Sequence, residues 1–107
     1  MNLLFVCSRN KWRSRTAETI FKNNGQHQIR SAGTESSARI KINQNMIDWA
    51  DVICVMEQKH RKRILDKFDI GEDMDKIDVL EIPDDYQYMD EELVEILEIS
   101  VSHYFVD

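Results

Sequence analysis

The sequence predicts an α/β fold in three layers, a four-stranded parallel sheet flanked by helices. Three observations carry that expectation. Strand-like segments recur four times along the chain, a segment of helical spacing follows each of them, and the joins are short, with no internal repeat, linker or Gly/Ser-rich stretch. Alternation of this kind favours parallel strands joined by helical crossovers. A chain of 107 residues suffices for one core, so residues 1–107 are expected to form a single domain.

Taken in order, residues 2–6 are continuously apolar, as in a strand covered on both faces. From Arg13 to Asn24 the spacing of Ala17, Ile20 and Phe21 marks one apolar helical face, and Gly25 supplies the stop. His27 to Ser31 reads as the second strand, ending in the turn-like Ala32-Gly33-Thr34. A short helix at Gln44–Trp49 leads into the third strand, Val52-Ile53-Cys54-Val55-Met56. Glu57 to Phe68 reads as a helix with Ile64, Leu65 and Phe68 inward. The fourth strand, Ile77–Ile82, stops at Pro83, which has no N–H for a ladder. The last helix has Asp90 as N-cap and Glu91 and Glu92 in its first turn. Leu93, Ile96, Leu97, Val101 and Tyr104 share one of its faces.

Composition narrows the class. With 42% hydrophobic and 32% charged residues, three Gly and one Pro, the chain is neither collagenous nor of low complexity nor disordered. Its longest apolar run, Leu3 to Cys7, is far below the roughly 20 residues of a membrane helix, and no basic stretch precedes it as in a signal peptide. Two cysteines make no disulfide framework, so a reducing cytoplasm is the expected location. The net charge of -6 argues against general nucleic-acid binding, but it is unevenly spread. Residues 1–65 hold 12 Lys/Arg against five Asp/Glu, while residues 66–107 hold two against 15. The basic part can attract a small anion through its local field.

Parallel sheets bind ligands beyond the carboxyl ends of their strands, which directs attention to Cys7–Ser14, Ala32–Arg39, Glu57–His60 and Asp84–Tyr88. In Cys7-Ser8-Arg9-Asn10-Lys11-Trp12-Arg13-Ser14, a Cys ends a buried strand and an Arg follows six residues later where a helix begins. Such a loop can curl its backbone N–H groups around one centre, and with the helix N-terminus they cradle an anion of phosphate size. Arg13 can close the cradle with paired hydrogen bonds to phosphate oxygens. The same field favours a thiolate at Cys7. A cysteine nucleophile facing a phosphate ester also needs a proton donor for the leaving oxygen. Ile82-Pro83-Asp84-Asp85-Tyr86 offers Asp84, with Asp85 in reserve. Cys54, inside an apolar strand without a neighbouring cation, is expected to be a core residue.

The stretches FVCSRNKWRS, RSAGT, ADVICVMEQKH and IPDDY, in that order, resemble the low-molecular-weight protein tyrosine phosphatase family in a short form. The resemblance implies a four-stranded parallel sheet and hydrolysis of phosphotyrosine without metal or cofactor. It makes Cys7 the nucleophile and Arg13 the residue that holds the phosphoryl group and stabilises the transition state. Ser8, Arg9, Asn10, Lys11, Trp12 and Ser14 become the substrate-binding loop. Ser14 would bond the thiolate, and Asn10 would hold the loop's shape together with Ser31. Asp84 matches the Asp of the family's Asp-Pro-Tyr motif, acid in the first step and base in the second, and Tyr86 would line the mouth of the pocket. The partners so implied are a phosphotyrosine protein or aryl phosphate as substrate and inorganic phosphate as product, with neither nucleic acid nor membrane.

The chain departs from the family pattern at several places. Arg9 stands where Gly is usual, and Trp12 where a second Cys is common, which removes the vicinal disulfide that protects many relatives. Asp85 replaces the Pro after the acid. Fewer than twenty residues join SAGT to ADVI, where longer relatives build a wall of the cleft, so a more open pocket is implied. Two other classes use a similar loop. One is a non-catalytic phosphoanion-binding module. The other is an arsenate reductase, which needs further cysteines, of which only Cys54 is present downstream. His27, His60 and His103 are scattered without metal-ligand spacing, so surface or interface positions are expected, with His60 at the edge of the site as the alternative. Trp12 is expected on the rim, Trp49 in ordinary packing, and the basic run Lys59 to Arg63 on a solvated face.

Overall fold

The computed structural model describes residues 1–23 and 25–105. Four strands, β1 (Asn2–Cys7), β2 (Gln28–Gly33), β3 (Val52–Val55) and β4 (Ile77–Val79), form one parallel sheet in the order β2-β1-β3-β4. The helices are α1 (Arg13–Phe21), α2 (Gln44–Trp49), α3 (Gln58–Lys67) and α4 (Glu91–Val101). This is the expected α/β class, with helices on both faces of a four-stranded parallel sheet.

The unbroken apolar run of β1 follows from its central place. Leu3, Leu4, Phe5 and Val6 are all fully buried, and their side chains alternate between two cores with the period of two of a strand. Leu3, Phe5 and Cys7 join Ala17 of α1 and Leu93, Leu97 and Val101 of α4. Leu4 and Val6 join Ile47 of α2 and Ile64 of α3 on the opposite face. Asp90 caps α4 as expected, its carboxylate accepting from the N–H groups of Glu92 and Leu93 at 2.9 and 3.4 Å. Among the described residues no helix is long and apolar enough to cross a membrane.

Element boundaries differ from expectation where local hydrogen bonding intervenes. Helix α1 ends at Phe21, and the expected final residue, Asn24, lies outside the described residues. Strand β2 starts one residue later than expected and runs on through Ala32 and Gly33, because those residues pair with Val6 and Cys7. Glu57 and Phe68 flank α3 as its caps rather than belonging to it. Strand β4 keeps only three laddered residues. Glu81 adopts a left-handed φ of 57°, which breaks the extended run, although Leu80 and Ile82 still donate to Val55 and Met56 at 2.9 and 2.8 Å.

The topology decides where a ligand can sit. From β1 the chain crosses to β2 on one side, then returns to β3 on the other, so the loops after β1 and β3 diverge at the carboxyl edge. Such a switch point leaves a crevice, and Cys7 ends the strand beneath it.

Candidate active site

The loop after β1 owes its shape to the segment that follows β2. Thr34 and Glu35 donate their N–H groups to the carbonyls of Cys7 and Ser8 at 3.0 and 2.9 Å, and Arg39 N–H donates to Arg9 O at 2.9 Å. Arg39 Nε adds a bond to Asn10 O at 3.1 Å. The carbonyls of Ser8, Arg9 and Asn10 are thereby all held from outside. No peptide is cis among the described residues, and a trans peptide points its N–H opposite its C=O. The amides of Arg9, Asn10 and Lys11 therefore turn inward. Gly33 permits this close approach: a Cβ there would sit 2.7 Å from Ser8 O and 2.9 Å from the Arg9 carbonyl carbon. The glycine of RSAGT is required by contact with the loop.

At the centre of the curl lies the Cys7 sulfur. It receives the Asn10 N–H at 3.2 Å and lies 3.0 Å from Ser14 Oγ. Asn10 holds φ at 56°, a conformation that Asn tolerates better than most residues. Its side-chain Nδ2 donates to Ser14 Oγ at 2.7 Å, which leaves the serine hydroxyl proton free to face the sulfur or Ala32 O. Helix α1 starts directly afterwards with Trp12 at its N-cap. The indole cannot accept a capping bond, so the first-turn amides remain open toward the crevice.

Arg13 is almost fully buried, yet only part of its guanidinium is engaged. Nη1 donates to Glu57 Oε2 at 2.6 Å and to Ile82 O at 2.8 Å. The opposite edge, Nε with Nη2, is the fork that remains for an anion. Asp84 Oδ1 lies 3.7 Å from Nε at the outer side of that edge. Partial burial works against the Glu57 carboxylate, but the hydrogen bond and charge of Arg13, helped by Lys59 and His60, outweigh it and hold its pKa below the usual value.

Above the sulfur is a cleft of about 280 Å³. The nearly buried Cys7 and Arg13 line it together with Ser8. Arg9, Lys11 and Trp12 come from the loop, and Glu35, Lys59 and Asp84 from the other three strand ends complete it. Asp84 thus reaches the cleft, whereas Asp85 is exposed and does not line it.

The expected site residues are not all on the cleft surface. The side chains of Asn10 and Ser14 are fully buried behind the loop, where the Asn10 N–H and the Ser14 hydroxyl meet the Cys7 sulfur. Ser31 does not bond Asn10; its hydroxyl donates to the Glu18 carboxylate, because β2 presents it to α1. Tyr86 is not among the residues lining this cleft; its partly buried ring packs against the core cluster that holds Ala17, Leu93 and Leu97.

His60 is fully buried rather than at the surface. Its Nδ1 accepts from Glu57 N–H at 3.0 Å and its Nε2 lies 2.9 Å from Ser8 Oγ. Sequence reasoning missed Glu57 altogether as a partner of Arg13. The signal was present in the spacing of Glu57 and His60, which form a reciprocal capping box at the start of α3. Cys54 is fully buried on β3, where burial, with Asp78 adding, pushes its thiol pKa far up. It is therefore poorly suited to relay oxidation from Cys7.

No protein-family model and no curated protein matches the chain. Solved structures do. A low molecular weight phosphotyrosine phosphatase from Vibrio cholerae O395 superposes with a TM-score of 0.76 at 20% identity, over 98% of this chain and 96% of its own. The chain has the fold of the low molecular weight phosphotyrosine phosphatases. The tyrosine phosphatase Wzb from Escherichia coli K30, solved with phosphate, gives 0.74 at 22% identity over 97% and 95% of the two chains. The YwlE arginine phosphatase from Geobacillus stearothermophilus gives 0.74 at 20% identity over 97% and 90%.

Proposed function

We propose that this protein is a cysteine-dependent phosphomonoesterase acting on an aryl phosphate such as phosphotyrosine. One observation carries the reading: Cys7 Sγ sits beneath inward-turned loop amides, and the Nε–Nη2 edge of the Arg13 guanidinium and the Asp84 carboxylate, 3.7 Å from Nε, are on the same cleft. A phosphoryl dianion seated there meets backbone donors, a bidentate cation and a nucleophile in line beneath it.

In the first step the Cys7 thiolate attacks phosphorus, the P–O ester bond breaks, and Asp84 gives its proton to the departing oxygen. In the second, water attacks the phosphocysteine and the S–P bond breaks. Asp84 takes the water's proton, and inorganic phosphate and the thiolate are released. Arg13 holds the equatorial oxygens throughout, and Ser14 and the Asn10 amide stabilise the sulfur when it carries charge. No metal is called on. Trp12 on the rim offers a flat face to an aryl group. The whole chain works as one unit, and a reducing cytoplasm would keep Cys7 a thiol.

The test is hydrolysis of p-nitrophenyl phosphate and of a phosphotyrosine peptide by the wild type and by Cys7→Ser. Turnover that disappears in the variant while phosphate binding persists supports the reading. Saturable phosphate binding without Cys7-dependent turnover identifies a binding module instead. Phosphoarginine belongs in the same assay, since one of the similar structures is an arginine phosphatase; a preference for it would replace the aryl ester.

A further inference from the structure

His60 stands at the start of α3 with exposed Lys59 beside it, yet its ring is fully buried and joined on both sides. The Glu57 N–H points at Nδ1 from 3.0 Å, so Nδ1 is an acceptor and carries no proton. Burial, followed by the charge of Arg13, pushes the His60 pKa down to about 4, and the ring is neutral at physiological pH. The single ring proton is then on Nε2, and across the 2.9 Å contact Nε2 is the donor and Ser8 Oγ the acceptor. With one lone pair so engaged, the Ser8 O–H is directed away from the ring. Ser8 lines the cleft together with Cys7 and Arg13.

We propose that His60 is a positioning residue for the phosphoanion: by donating Nε2–H to Ser8 it turns the Ser8 hydroxyl proton toward the cleft and makes Ser8 a side-chain donor to the bound group. Glu57 and His60 then act as a pair at the head of α3. The Glu57 carboxylate orients the Arg13 fork, its backbone N–H sets the His60 tautomer, and His60 sets the Ser8 rotor. A fold need for the capping box alone explains the Nδ1 contact but not the second bond to the loop. The proposal rests on the phosphatase reading only for the identity of the anion.

Two substitutions separate the bonds. His60→Asn retains an oxygen near Nδ1 for the Glu57 N–H but does not reach Ser8. His60→Gln places an amide N–H near the position of Nε2. His60→Asn is expected to weaken binding of inorganic phosphate roughly tenfold, the worth of one hydrogen bond to a charged group. It should raise KM for p-nitrophenyl phosphate similarly while kcat changes little, because the bond is present before and during the reaction. His60→Gln should recover most of that loss. In a Ser8→Ala background, His60→Asn should have no further effect.

Equal losses from His60→Asn with and without the Ser8 hydroxyl would overturn the proposal, as would a Gln variant no better than Asn. Should His60→Asn fail to fold, Ser8→Ala decides alone: a tenfold loss of phosphate affinity supports the proposal and an unchanged affinity overturns it. Phosphate binding requires no turnover. A chain that binds phosphate without Cys7-dependent hydrolysis therefore fails the enzymatic reading and still answers for His60.

Discussion

Arg13 Nη1 and Glu57 Oε2 meet at 2.6 Å across 44 positions of sequence, joining the first turn of α1 to the N-cap of α3. The contact immobilises one edge of the guanidinium while Arg13 lines the cleft, so the proposed anion site would be prepared before any anion arrives. Removing Glu57 should leave Arg13 nearly buried with only Ile82 O for that edge. Loss of one partner from a buried ion pair costs about 3–5 kcal/mol; Glu57 is part exposed, so about 1–2 kcal/mol is expected here. Glu57→Gln is therefore predicted to lower the urea midpoint modestly and kcat/KM by roughly tenfold or more, measured on the same preparation.

Asp84 and Asp85 are adjacent but differ in placement, since only Asp84 lines the cleft. Asp84→Asn is predicted to lower kcat by about 10²–10⁴-fold, the usual contribution of a positioned acid. Phosphate affinity should change little. Asp85→Asn should remain within a few-fold of wild type. A steady-state comparison of the two variants checks the assignment, and a larger loss at Asp85 reverses it.

Gly33 has no room for a side chain, and the obstruction is the loop backbone, with Ala38 Cβ a further 2.6 Å contact. Gly33→Ala should shift the Ser8–Arg9 peptide and cost about 1–3 kcal/mol, as overpacking usually does. Because the moved atoms belong to the amide ring, phosphate binding should fall further than the lost stability explains. Thermal melts with and without phosphate separate the two effects.

Acid should loosen this corner of the protein. Folded His60 takes its proton near pH 4 and an unfolded one near its ordinary 6.5. The unfolded state therefore binds the extra proton first, and stability falls as pH drops from about 6.5 to about 4. The full difference is worth about 3 kcal/mol. Glu57, held below its ordinary value, adds a loss of the same sign as pH falls through its folded pKa. Urea midpoints at pH 7.5, 5.5 and 4.5 should decline steadily, and His60→Gln should flatten the upper part of that decline.

The two cysteines should respond differently to alkylation. Cys7 borders the cleft, whereas Cys54 is sealed in β3 with its thiol held protonated. Iodoacetamide at neutral pH is predicted to modify Cys7 first, with protection by phosphate, and Cys54 only on unfolding. Peptide mapping reads both sites.

Residue order alone determined much of this protein. The apolar run of β1, the N-cap of α4 and the alternation of strand and helix depend on local spacing and burial, and these are written into neighbouring residues. So is the position of Cys7 six residues before Arg13, which strand, loop and helix turn into a cradle. Tertiary packing decided what the cradle leans on. Glu57 at Arg13, His60 at Ser8, Gly33 under the loop and Glu18 in place of Asn10 at Ser31 are contacts between distant segments. Their partners are chosen by how β1, β2 and β3 lie side by side, and a hydrogen bond across 44 or 52 positions leaves no periodicity in the chain. The same reason sets Tyr86 against the core cluster of Ala17, Leu93 and Leu97. A half-polar ring goes to whichever apolar surface the fold brings near it.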